Sequence, residues 1–146
     1  MPVKTFRGVL ADGEQDTIVL HTNNGSTGYR IVNFQIMSQQ PGAAHQESIV
    51  QIFKISQTTV PTTAATIDFQ DNTLLAAGVL INNSNLYGHK SEVIFENEIF
   101  NQDIYVTHTD NESSTACNYY IELEQVKLSL DENTVATLKD IRNITG

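Results

Sequence analysis

Apolar and polar residues alternate along most of this chain with the period of two that a half-buried strand requires. TFRGVL and TIVLHT flank ADGEQD, in which Asp12-Gly13 carries the chemistry of a hairpin-type turn. Asn24-Gly25 is a second turn signal. Beyond it, YRIVNFQIM predicts a longer strand with Val32, Phe34 and Ile36 on one face and Ile31 and Met37 on the other. QQPGAAHQES reads as a loop, and IVQIFKIS is apolar on both parities, which predicts a central strand covered on both sides. QTTVPTTAA reads as an extended linker because Pro61 bars a central strand. TIDF predicts a short strand with Ile67 and Phe69 inward, and LLAAGVLINN fits a strand or a helical turn, the strand favoured because Gly78 suits a bulge and NNSN a turn. In SEVIFENEIF, Val93, Phe95 and Ile99 share one parity and Glu92, Glu96 and Glu98 the other. DIYVTHTD places Ile104 and Val106 inward, with Tyr105 and Thr107 outward.

The segment NYYIELEQVKLSLDENTVATLKDIRN breaks this regularity twice. Tyr119, Ile121 and Leu123 share one parity, whereas Val126, Leu128 and Leu130 share the other. One extra residue near Glu124-Gln125, as in a β-bulge, gives that change, and so does a strand that exchanges one packing partner for another. From Ser129 the period becomes helical. Ser129-x-x-Glu132 matches a capping box, and Val135, Leu138 and Ile141 form a stripe at i, i+3, i+6. The expected architecture is all-β: an antiparallel, jelly-roll-like β-sandwich of about eight strands with a short C-terminal helix. Residues 1–128 form the sandwich and 129–146 a helical tail of the same domain. Val126, Leu128, Leu130, Val135, Leu138 and Ile141 are the candidate contacts with a neighbouring subunit or surface.

Composition narrows the function classes. The 146 residues suffice for one domain with a real core, and 40% hydrophobic content is ordinary for a folded chain. Only 17% are charged; Thr, Asn and Gln make up roughly a quarter, which suits loops and wet contact surfaces. The net charge of -9, with 8 scattered Lys and Arg, argues against nucleic acid and against anionic membranes as partners. MPVKTFRGVL has neither the apolar core nor the cleavage site of an export signal, so production in a cytoplasm is expected.

Catalytic chemistry is hard to find. The single cysteine, Cys117, has no basic neighbour and heads an apolar strand, which predicts a buried, inert thiol. His21, His45, His89 and His108 lack metal-ligand spacing. Asp12, Glu14 and Asp16 alternate like calcium ligands, but the closing Glu of such a loop would fall on Asn23. Glu92, Glu96, Glu98, Glu122 and Glu124 occupy the polar parity of strands, where a solvated face is expected rather than a glycosidase pair. The expectation is a chain that is not an enzyme, without cofactor or metal.

Two blocks, FRGVLADGEQDTIVLHTNNGSTGYRIVNFQIM and NQDIYVTHTDNESSTACNYYIELEQVKLSLDENTVATLKDIRN, resemble small virion structural proteins of marine tailed bacteriophages. The resemblance implies a non-enzymatic particle component, and carries over no functional residues. The favoured kind is a decoration (cement) protein on the outer capsid, with the major capsid protein or other virion proteins as partners. It also implies a homo-oligomer, with a trimer favoured, assembled in the host cytoplasm. A tail, fibre or head-to-tail component, or a module for glycans or a host surface, are the alternatives.

Overall fold

The computed structural model describes residues 2–22, 25–42, 45–59, 66–82, 88–112 and 114–128. Among these there are eight strands and no helix: β1 (Val3–Leu10), β2 (Gln15–Ile18), β3 (Thr27–Ser38), β4 (Gln46–Phe53), β5 (Leu74–Asn82), β6 (His89–Ile94), β7 (Ile104–Asp110) and β8 (Cys117–Lys127). They form two antiparallel sheets, ordered β1-β8-β3 and β2-β7-β4-β5-β6. The protein is an all-β sandwich. Its pairings of β1 with β8, β2 with β7 and β4 with β5 are those of one long hairpin rolled up on itself, the jelly-roll order.

The alternation read from the sequence builds the core. Ile31, Phe34, Ile36, Val50, Ile52, Ile104, Val106, Ile121 and Leu123 are all 3% exposed or less and meet between the sheets. β4 is the middle strand of the larger sheet, and its second face is covered as well. There Phe53, Leu74 and Ala77 form a small cluster with Ile67 and Phe95, which accounts for apolar residues on both parities. Gln51 lies buried on that face, its amide donating to the Thr66 carbonyl at 3.1 Å.

Several local expectations are corrected. Asp12-Gly13 makes a turn closed by Glu14 N–H on the Ala11 carbonyl, but its flanking strands join different sheets, so no hairpin forms. Residues 66–70 are not a strand; Ile67 is half-buried and Phe69 is 59% exposed, set edge-on against Phe95. The bulge of β5 is at Leu75 rather than Gly78, because Ile52 pairs with Ala76 and Phe53 with Leu74. Thr107 points outward as expected, but that face is covered, so it is fully buried, its hydroxyl donating to the Gln51 carbonyl.

The phase change near Glu124-Gln125 has a different origin from a bulge in β8. Every residue of β8 from Cys117 to Lys127 has a partner on β3, and the extra residue lies on β3, where Ile31 pairs with Leu123 and Asn33 with Glu122. Val32 is therefore the bulged residue. It lets Tyr29 and Ile31 point inward on one side of it and Phe34 and Ile36 on the other. β8 itself stays regular, so Val126 and Leu128 share the outer face with Glu122 and Glu124. The change of packing partner is what the structure contains: Leu128 is 7% exposed, on the side of the sheet away from the main core. Gly28 makes room for it, since a Cβ there would sit 3.1 Å from both Leu128 and Ile99 side-chain atoms. The expected tail helix, with Leu130, Val135, Leu138 and Ile141, lies outside the described residues.

One side of the sandwich is pinned by a buried phenol. Tyr119 on β8 donates from its hydroxyl to Asp16 Oδ2 on β2 at 2.8 Å, linking the two sheets. Its ring passes over Gly8 on β1, where a Cβ would lie 2.8 Å from the hydroxyl oxygen. Burial, together with the hydrogen bond and negative charge of Asp16, raises the phenol's pKa, so it remains a donor. Gly8→Ala is expected to cost roughly 1–3 kcal/mol by overpacking. Denaturant melts of Gly8→Ala, Tyr119→Phe and the double variant should give strongly non-additive losses; additive losses would mean that ring and glycine do not constrain each other.

Candidate contact surface on the three-stranded sheet

Most carboxylates that the sequence offers as chemistry are engaged in local structure, Glu96 alone standing exposed without such a contact among the described residues. Asp12 Oδ1 accepts from Asp110 N–H at 2.9 Å, Glu14 from Ala11 N–H, and Asp16 from Tyr119. Glu98 pairs with the buried Lys54 at 3.1 Å, and Glu124 with Arg30 at 3.2 Å. Glu122 accepts the Tyr120 hydroxyl at 2.8 Å. Asp103 Oδ1 holds the 20–21 backbone by accepting from Leu20 N–H, His21 N–H and the His21 ring. Burial works to raise its pKa, but these hydrogen bonds outweigh that and hold it below the usual carboxylate range. Among the described residues no three His, Cys, Asp or Glu side chains converge as a metal site.

Glu92 departs most from its expected place. Instead of standing in solvent opposite an inward Val93, it turns toward β3, and Val93 is 39% exposed. Its Oε2 accepts from Ile36 N–H at 2.9 Å, while Lys90 Nζ donates to the Ile36 carbonyl at 3.2 Å. The two side chains are themselves 3.4 Å apart. A fully rolled sandwich would pair β3 with β6 by backbone; here a carboxylate and an ammonium serve the β3 edge instead. Gly78 leaves space for this, since a Cβ there would sit 3.2 Å from Glu92, Ile36 and Phe34 side-chain atoms.

His108 is fully buried, its Nε2 within 2.9 Å of the Ser48 hydroxyl, which also accepts from Gln46 at 2.8 Å. Its Nδ1 finds no hydrogen-bond partner among the described residues. With Ser48 equally buried, this pair cannot meet a substrate. The Cys117 thiol is also fully buried, 3.6 Å from the Met37 carbonyl.

Among the described residues, the outer face of the sheet β1-β8-β3 is one surface left open to partners. Register alignment sorts its residues into cross-strand rows. Arg7, Tyr120 and Gln35 form one row; Val9, Asn118 and Met37 form another. Between them lies the row Gly8, Tyr119 and Ile36, whose side positions point into the sandwich and leave only backbone outside. The result is an open groove of about 530 Å³ lined by these nine residues. Val9 is 45% and Met37 63% exposed, so its apolar wall faces solvent.

Of the candidate contact residues, Val126 is half-buried and Leu128 buried at the opposite end of this same face. The groove itself escaped the sequence reading. Met37 on the outward parity of its strand was the one available signal. A scan against protein-family models and a search of curated proteins found no match for this chain.

Burial pushes the Cys117 thiol up to about 12, far above the range in which a thiolate forms at neutral pH. At pH 8 a chromogenic thiol reagent should leave the native chain unmodified and titrate one thiol per chain in denaturant. Rapid labelling of the native chain would contradict the buried assignment.

Proposed function

We propose that this chain is a non-enzymatic structural subunit of a tailed-phage particle, most specifically a decoration protein that binds the outer capsid surface and stabilises it. The observation that carries the reading is the exposed outer face of the three-stranded sheet. Val9 and Met37 stand there in solvent beside Arg7 and Tyr120, on a rigid platform. Arg and Tyr beside exposed apolar groups are the residue types that dominate protein contact surfaces, and amide rims suit the wet periphery. The chain's resemblance to small virion structural proteins supports the same reading, as does an acidic net charge that keeps subunits apart until they meet a partner. In this reading the partners are the major capsid protein or other virion proteins, the subunit is a homo-oligomer with a trimer favoured, and the location is the virion.

A second reading has one specific observation behind it. Tyr120 flanked by Arg7, Gln35 and Asn118 offers an aromatic surface with amide and guanidinium donors, the chemistry of a glycan-binding module.

The reading is tested by adding the purified chain to tailed-phage heads that lack it and measuring co-sedimentation. Saturable binding is expected, lost when residues 129–146 are removed. Absence of binding to heads, with saturable binding to defined glycans that Tyr120→Ala removes, would replace the structural reading with the second one.

A further inference from the structure

The groove on the outer face of the three-stranded sheet has a defined length, polarity and charge. It runs across the strands, about 10 Å from β1 to β3 and about 7 Å between its two walls. Arg7 is the one charged side chain in its lining and stands at the β1 end. It has no ion-pair partner among the described residues. In a chain of net charge -9 this leaves an uncompensated cation beside an apolar wall. The floor strand β8 is hydrogen-bonded to a neighbour on each side, so an occupant is held by side chains and not by added backbone pairing. It must bring apolar groups to Val9 and Met37 and an anion to Arg7.

One segment of this chain carries that pattern. Val135, Leu138 and Ile141 recur at i, i+3, i+6, a ridge about 9 Å long at helical rise, close to the groove's length. Asp131 and Glu132 precede Val135 by about one helical turn, beyond one end of the ridge, as Arg7 stands at one end of the groove. We infer that the groove receives the 129–146 segment of a second copy of this chain, with Val135, Leu138 and Ile141 in the slot and Asp131 or Glu132 against Arg7.

Reach decides that the donor is a second copy. Leu128 lies nine residues along β8 from Tyr119 in the groove floor, about 30 Å away in an extended strand. On the helix that the sequence predicts from Ser129, Leu138, ten residues past Leu128, would stand only about 15 Å from it, so the stripe would fall short of its own groove. Each copy then offers a tail and a groove, a head-to-tail contact of the kind that closes into rings. The inference rests on the homo-oligomer of the particle reading and names the contact between its copies, and its test uses this chain alone.

Sedimentation equilibrium of the full chain follows self-association, with thermal melts confirming that each variant is folded. Met37→Asp, Leu138→Asp and Arg7→Glu should each weaken association about tenfold or more. Combining Arg7→Glu with Asp131→Lys and Glu132→Lys should restore it, because the ion pair returns with its signs exchanged. A chain that stays monomeric at high concentration overturns the inference, as does self-association indifferent to Met37→Asp, or a charge exchange that restores nothing. Loss of capsid or glycan binding on Met37→Asp, with self-association unchanged, would assign the groove to another occupant and overturn it equally.

Discussion

Strand β8 is the constraint on which the sandwich depends. It is the middle of the smaller sheet, paired along its length with β3 and over Cys117–Glu124 with β1. Its inward residues Cys117, Tyr119, Ile121 and Leu123 are between 0% and 6% exposed. Removing a side chain such as Ile121 costs about 2–5 kcal/mol, a large part of a small domain's stability. Because β8 is regular, irregularity is displaced to its neighbour: β3 bulges at Val32 and so keeps four apolar residues inside against an unbroken partner. The same regularity gives the smaller sheet one apolar face and one face free for other uses.

Polar side chains close the sandwich where backbone pairing does not. Between β1-β8 and β2 the link is Tyr119 to Asp16; between β3 and β6 it is Glu92 and Lys90 to the two backbone groups of Ile36. Charged hydrogen bonds to an edge strand satisfy it without leaving a template for uncontrolled pairing. An acidic, Thr- and Asn-rich chain can therefore present this sheet edge without offering Ile36 as a free pairing template.

Much of the fold was legible in period-two alternation, because burial between two sheets enforces it. The strands β3, β7 and β8 follow from that pattern, whereas β4 was marked by apolar residues on both parities and β5 by its flanking turn residues. Where the reading failed, tertiary context had overridden the parity. Glu92 looked solvated because a carboxylate on a strand usually is, and nothing local announces that it will serve the edge of β3. Ile67 and Phe69 looked like a strand, yet only Ile67 and Phe95 pack on the cluster at Phe53. The phase change of β8 was visible, but sequence alone could not tell a bulge from a change of face, and the bulge sat on a partner strand. The groove is a property of register between three strands far apart in sequence, so only Met37 on the outward parity hinted at it.

The outer face of the three-stranded sheet is proposed as a contact surface, with the buried polar groups of the chain serving its structure. An image reconstruction, at side-chain detail, of the particle proposed for this chain would show whether that face is covered. The rows Arg7-Tyr120-Gln35 and Val9-Asn118-Met37 are expected to be covered by a neighbouring chain. Those rows facing solvent in every copy, with contacts made by the five-stranded sheet, would contradict the proposal.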